Sequence, residues 1–296
     1  MKSKPIPWTK VFFNRECPCG SRRRSYECCW RGEGRWEKTP VGVINISAAS
    51  TFENDRCYLS PLRCCGAKIT KEHFISRAIL ERITAGTLRF EGSGHLFGGK
   101  RQVEIGIDDF CANVLCDAHN SSLSPLDTAA ALAFSTIESL AGDCMDVSGL
   151  ERGRSSFHIS SGRDIERWMI KVYCGLLAAK KIRSASGRTV ERDALEPYVL
   201  SSLLGATSLP NPLGLYMVTF AGQQLKPGGL SFGTIHLTDG SDEVGGITLS
   251  LGVMTFVLVT SPRYGQTFRN PNWHRNQSLV WNARQGAGRV VYLFTY

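Results

Sequence analysis

The chain has no apolar run long enough to span a bilayer, and its opening residues, MKSKPIPWTK, lack the apolar core of a secretory leader. Both absences predict a soluble, cytoplasmic protein. No Gly-Lys-Ser/Thr step closes the Gly-rich interval Glu91 to Lys100, EGSGHLFGGK. That interval therefore carries no phosphate-loop signature and reads as a loop, with His95 a candidate substrate contact. Acidic residues are also short: 26 Asp plus Glu stand against 35 Lys plus Arg, a formal net charge of +9. Such a balance favours a polyanionic partner through counterion release. A disordered chain is excluded as well, because 296 residues that are 42% apolar can bury a sizeable core and hold two or three modest units.

Cysteine is what the chain has in number, eleven in all. A cytoplasmic setting keeps thiols reduced, so grouped cysteines there argue for metal thiolates over disulfides. Cys144 and Cys174 stand alone and are expected to be buried small apolar residues. Residues 12–31 read FFNRECPCGSRRRSYECCWR, placing Cys17, Cys19, Cys28 and Cys29 close together with Pro18 and Gly20 to make a tight turn. Four thiolates so spaced can wrap one Zn²⁺. Further on, thiols at Cys57, Cys64 and Cys65 precede a Glu72-His73 dipeptide, and a Cys116-x-x-His119 pair with Asn120 directly after it follows an insert. Two ligand pairs flanking an insert can close a second tetrahedral site from Cys57, Cys65, Cys116 and His119. Cys64 is adjacent to Cys65 and is the alternative ligand.

The second group resembles the HNH endonucleases of the ββα-metal type, whose pattern is an acidic residue and His at the end of a strand, a polar residue in a loop, and a C-x-x-(C/H)-(N/H) step opening a helix. Glu72-His73 matches the first part and Cys116-x-x-His119-Asn120 the last, so the resemblance covers roughly residues 57 to 130. It implies that His73 is a general base and that Glu72 and Asn120 ligate a catalytic Mg²⁺ or Mn²⁺. Asn113 falls at the middle polar position, closer to Cys116 than usual, with Cys111 at the more usual distance. The cadence Cys-Gly, Lys-Ile, Glu-His within that resemblance is the reason to choose Cys65 over Cys64. An imidazole with an unperturbed pKa of about 6.5 can take a proton from an attacking water near neutral pH. A hard cation could offset the charge growing on the phosphate.

The first group resembles the SEC-C zinc motif through Cys17, Pro18, Cys19, Gly20, Ser21, Tyr26, Cys28 and Cys29, with Arg22 where the motif usually has a second Gly. Arg22, Arg23 and Arg24 form a basic run on it, with Tyr26, Trp30 and Trp36 available for stacking on bases or for packing.

Elsewhere the pattern predicts a strand at Val41 to Ile46, a helix over Phe74 to Ile83, and another starting near Ser124 with Pro125 in its first turn. A helix over Arg163 to Arg183 would bury Ile165, Trp168, Met169, Val172 and Leu176 and turn Arg163, Arg167, Lys171 and Lys180 outward. Beyond residue 205, β-branched and aromatic runs broken by Gly and Pro predict an antiparallel sheet of five or six strands, the last being GRVVYLFTY. Residues 270–275 form a polar, aromatic loop that could recognise a partner.

The expected fold class is α+β: a zinc knuckle over 1–35, a zinc-stabilised ββα-metal HNH unit over 36–150, and a C-terminal domain rich in antiparallel sheet over 151–296. The function expected is a metal-dependent endonuclease acting on DNA, with other proteins of a phage-defence system as further partners. The alternative is a zinc-stabilised nucleic-acid or protein adaptor that does not cut.

Overall fold

The computed structural model describes residues 15–33, 35–45, 52–84, 86–91, 102–145, 156–191, 195–218, 230–236, 241–251, 254–267, 274–275, 278–282 and 289–296. His95 and residues 270–273 lie outside the described residues. The elements run helix α1 (Ser25–Cys28), strand β1 (Ile69–His73), α2 (Arg77–Ile83), β2 (Thr87–Glu91), β3 (Gln102–Gly106), β4 (Cys111–Cys116), α3 (Asp117–Met145), β5 (Ser156–Ser161) and α4 (Gly162–Ala178). They continue with α5 (Pro197–Leu204), β6 (Gly214–Val218), β7 (Leu230–His236), β8 (Val244–Leu251), β9 (Met254–Val259), α6 (Pro262–Thr267), β10 (Ser278–Asn282) and β11 (Arg289–Thr295). The arrangement is α+β.

β1 pairs antiparallel with β4, which runs straight into α3. β2 and β3 form the insert between the two paired strands. The later strands divide into a four-stranded antiparallel sheet, β6-β9-β8-β7, and a three-stranded sheet, β10-β11-β5. GRVVYLFTY thus leaves the expected C-terminal sheet: β11 lies parallel to β5, pairing Tyr292 with His158. A parallel partner is remote in sequence, and nothing in the alternation of a single strand announces it. One core cluster runs from Cys57 through Leu115, Met169 and Leu258 to Phe294, so both halves of the chain share it.

Helix α4 organises that core. Ile165, Trp168, Met169, Val172 and Leu176 are buried as their spacing predicts. Arg167 and Lys171, expected to face solvent and phosphates, are buried as well. The buried polar groups on the helix instead hold neighbouring segments. Asp164 accepts from the Val41 amide at 2.9 Å, and Arg167 donates to the carbonyls of Val41 at 2.6 Å, Leu203 at 3.0 Å and Leu204 at 3.0 Å. Glu166 accepts from the Leu215 amide and from both Nε and Nη2 of Arg275, all at 2.9 Å. Buried charges persist only when paired or hydrogen-bonded, and here each has a partner. The same bonds explain why residues 41–45 are no strand: their backbone groups are taken by α4 side chains and by Leu204, which accepts from Ile44 at 2.9 Å. Residue 46 lies outside the described residues.

α3 begins at Asp117, well before the expected Ser124, and carries Pro125 inside. The missing Pro125 amide leaves the Ser121 carbonyl without its helical donor. The start is set by tertiary structure: the Asp117 amide donates to Lys68 O at 2.9 Å, and the next turn carries His119 into the cysteine cluster. α2 begins at Arg77 rather than Phe74, with Phe74 packed edge-on against Phe110 at 5.3 Å. Cys174 is fully buried, as expected, and the Cys144 side chain lies outside the described residues. Among the described residues no helix is long and apolar enough to cross a membrane.

Candidate functional site

The N-terminal segment turns tightly because the Cys17 amide donates to Arg23 O at 2.7 Å and the Gly20 amide to Cys17 O at 3.0 Å. α1 then delivers Cys28 and Cys29 to the same point. All four cysteines are buried, with sulfurs within 4.8 Å of one another. Cys19 and Cys28 lie 3.5 Å apart, and Cys28 and Cys29 3.6 Å. Thiolates at the corners of a tetrahedron with zinc-length arms would sit about 3.8 Å apart, so the donor set and spacing are compatible with Zn²⁺. Lys38 Nζ lies 3.5 Å from Cys19 and Ser21 Oγ 3.2 Å from Cys28, which would soften the charge of a four-thiolate site.

This knuckle is docked on the body of the protein. The Ile159 amide of β5 donates to Pro18 O at 3.2 Å, and Ile159, Trp36 and Leu293 pack on the cysteines. Trp36 meets Trp30 and Phe157, each at 5.1 Å, so the two tryptophans serve in packing, whereas Tyr26 is exposed. Arg22, Arg23 and Arg24 are exposed in a row. Arg22 has φ of 61°, the left-handed region that suits glycine. A side chain there costs about 1–2 kcal/mol, and glycine's looser unfolded chain returns up to ~1 kcal/mol of that. Arg22→Gly is therefore expected to stabilise the protein by about 0.5 kcal/mol, read as a higher urea midpoint at unchanged slope. A lower midpoint would mean that the Arg22 side chain itself supports the knuckle.

The second cluster is assembled from three places. Cys57 lies in a turn whose next amide, Tyr58 N, donates to Val114 O of β4 at 3.0 Å. Cys65 follows a short 3-10 turn (Ser60–Leu62), and Cys116 and His119 sit at the β4–α3 junction. Cys57, Cys65, Cys116 and His119 are all buried and bring their ligand atoms within 4.8 Å of one another. His119 Nδ1 is 3.2 Å from Cys57 Sγ and 3.8 Å from Cys65 Sγ. Cys64 faces the other ring nitrogen, Nε2, at 3.3 Å, and so stands behind the imidazole. Cys116 Sγ accepts from the amides of Gly66 at 3.2 Å and His119 at 3.5 Å, the orientation a metal-bound thiolate takes. Gly66 allows this approach, for a Cβ there would lie 1.9 Å from Asp117 Oδ1. Burial first, with repulsion from Cys116 and Cys65 added, pushes the Cys57 thiol up to about 12 against backbone hydrogen bonds that lower it, so a cation is what would hold it as thiolate. This donor set too is compatible with structural zinc.

Beside this cluster, β1 ends in Glu72 and His73. Strand alternation sends them to opposite faces, with His73 opposite Cys111, Glu72 opposite Ala112 and Lys71 opposite Asn113. His73 is half-buried and its Nε2 has no hydrogen-bond partner. Burial and then the nearby Arg77 charge hold its pKa below the ordinary imidazole value, leaving it neutral, as a base must be. Asn120, in the first turn of α3, donates to Thr70 Oγ1 at 3.0 Å and Lys71 O at 3.4 Å, so it is tied to β1. Asn113 is exposed on β4, across from Lys71 rather than His73, while Cys111 donates to Asp108 O at 3.1 Å.

Glu72 points into the core and is buried against Lys171 Nζ of α4, which also holds Asp127 of α3. Burial pushes the Glu72 carboxyl up to about 7 despite the lysine. Around this triad the Tyr58 hydroxyl and Asp127 Oδ1 are buried without hydrogen-bond partners. Sequence spacing gave no sign of Asp127 and Lys171 here, since they sit on two helices and meet Glu72 only after folding. Compared with known proteins, the chain matches no family model, no curated protein and no solved structure at a significant level.

The triad bears on the catalytic divalent cation that the resemblance implies. The carboxylate that would bind it is already paired with a buried ammonium, and Asn120, tied to β1 through its Nδ2, has only its Oδ1 to offer. These residues, as arranged, do not fit a resident Mg²⁺ or Mn²⁺.

Proposed function

We propose that the protein is an HNH-like endonuclease that hydrolyses phosphodiester bonds in DNA. One observation carries the reading: a half-buried imidazole whose Nε2 has no hydrogen-bond partner stands at the end of β1, in a strand–strand–helix frame clamped by a Cys3His cluster. In this proposal His73 takes the proton of the attacking water. Lys71, exposed two residues earlier on the same face, and Arg77, at the start of α2, supply positive charge to the phosphate. Asn120 fixes the distance between strand and helix. The two cysteine clusters hold structural zinc and take no part in the reaction. A defence nuclease is the setting in which we would look for this activity.

A second reading, a zinc-stabilised nucleic-acid adaptor that does not cut, is favoured by the Lys171 pairing of Glu72. Incubating the purified protein with supercoiled plasmid, with and without Mg²⁺ or Mn²⁺, separates the two. Nicked or linear product lost in the His73 variant supports the nuclease, and intact plasmid under every condition leaves the adaptor.

Both readings place DNA on the basic knuckle. Affinity is expected to fall with salt at a slope of about 0.9 per phosphate neutralised. Replacing Arg22, Arg23 and Arg24 together with Ala should flatten that slope by roughly two to three without altering sequence preference. A triple variant with the parental slope would instead make the knuckle a protein-docking surface.

A further inference from the structure

We propose that Lys171 is the resident cation of the site, filling from α4 the place between Glu72 and Asp127 that a divalent ion would otherwise take. The contributing residues come from three elements: Glu72 from β1, Asp127 from α3 and Lys171 from α4. Lys171 is 3% exposed and contacts both carboxylates. Two carboxylates facing one ammonium leave an acid in excess, and the spare Asp127 oxygen is buried without a partner. The Tyr58 hydroxyl, 1% exposed and equally unpartnered, lies close enough to feel both carboxylate charges. A lysine serving only as a structural bridge would leave no such surplus of donors and acceptors, because buried polar groups are ordinarily satisfied. Oxygen donors converging from a strand and a helix are what a hard cation needs. An ammonium already between them repels a second cation at contact distance, and its burial leaves it nowhere to retreat.

The inference rests on reading Glu72 as the cation-side residue of the site, but its test uses no DNA, so its outcome is separate from whether plasmid is cut. Zinc-loaded protein is titrated with Mn²⁺, followed by the paramagnetic resonance of the free ion. The wild type is expected to bind no Mn²⁺ below about millimolar concentration. Lys171→Met, which keeps the side chain's bulk and removes its charge, is expected to gain one bound Mn²⁺ per chain with at least tenfold tighter affinity. Adding Glu72→Gln to that variant should abolish the gain. Wild-type protein that binds one Mn²⁺ and loses it in Glu72→Gln would overturn the proposal, and so would a folded Lys171→Met that gains none. Should Lys171→Met fail to fold by circular dichroism, Lys171→Gln takes its place, and the wild-type titration decides in either case.

Discussion

Cys116→Ser is expected to lose one of two zinc ions and to lower the melting temperature by about 10 °C or more. The estimate follows from the cluster's position. Cys116 ends β4, His119 opens α3, and Cys57 and Cys65 belong to the preceding loops, so four segments lose their common anchor together. Loss of a structural metal is among the few single changes that cost more than about 4 kcal/mol, and each kcal/mol moves the midpoint by roughly 2–4 °C in a chain of 150–250 residues. Cys64→Ser supplies the contrast. Its sulfur faces His119 Nε2, away from the other three, so both zinc ions should remain. Elemental analysis of the purified proteins decides: two zinc per chain in the wild type and Cys64→Ser, one in Cys116→Ser. Equal zinc in all three would remove the Cys3His assignment, and none in the wild type would remove both clusters.

The parts of this site visible in the sequence share one property, which is locality. Cys17 to Cys29 close within a single turn and a one-turn helix, so spacing alone brings them together. Cys116 and His119 are neighbours across a strand–helix junction for the same reason. Cys57 and Cys65 needed the further step of seeing two thiol-bearing segments as halves of one site, and the choice of Cys65 over Cys64 rested on the cadence of the resemblance, while the fold sets Cys64 against the other imidazole nitrogen. What stayed hidden depends on contacts between distant segments. Periodicity on α4 gave the apolar stripe, but Arg167 and Lys171 read as a solvated face because helical spacing reports which residues share a side and not what covers it. That side is covered by the segment at Val41 and Gly42, by α5, and by Glu72 of β1 and Asp127 of α3, whose polar groups meet the buried charges. The parallel pairing of β11 with β5 was hidden for a like reason, as was the early start of α3, where a metal-ligand turn outweighed the local preference for a start at Ser124-Pro125.

His73→Ala is expected to reduce plasmid cleavage by about a thousandfold, within the range of 10²–10⁴ that a positioned proton acceptor contributes. Stability should change by less than ~1 kcal/mol, since the side chain is half-buried and its Nε2 makes no bond whose loss would be felt. Glu72→Ala should behave in the opposite way. It would take one of two carboxylates from the buried Lys171, which keeps Asp127 as its partner, and loss of a hydrogen bond to a charged group costs about 2–3 kcal/mol. Asn120→Ala falls between, losing the bonds to Thr70 and the Lys71 carbonyl for about 1–2 kcal/mol. DNA affinity at fixed salt should be unchanged in His73→Ala, because in the proposed reaction the imidazole acts on the attacking water while the exposed arginines hold the phosphates. The decisive measurement is therefore a pair, cleavage rate and unfolding midpoint on the same preparations. His73→Ala that loses its midpoint in step with its cleavage would make the histidine a packing residue, and Glu72→Ala that keeps its midpoint would break the link drawn between β1 and α4.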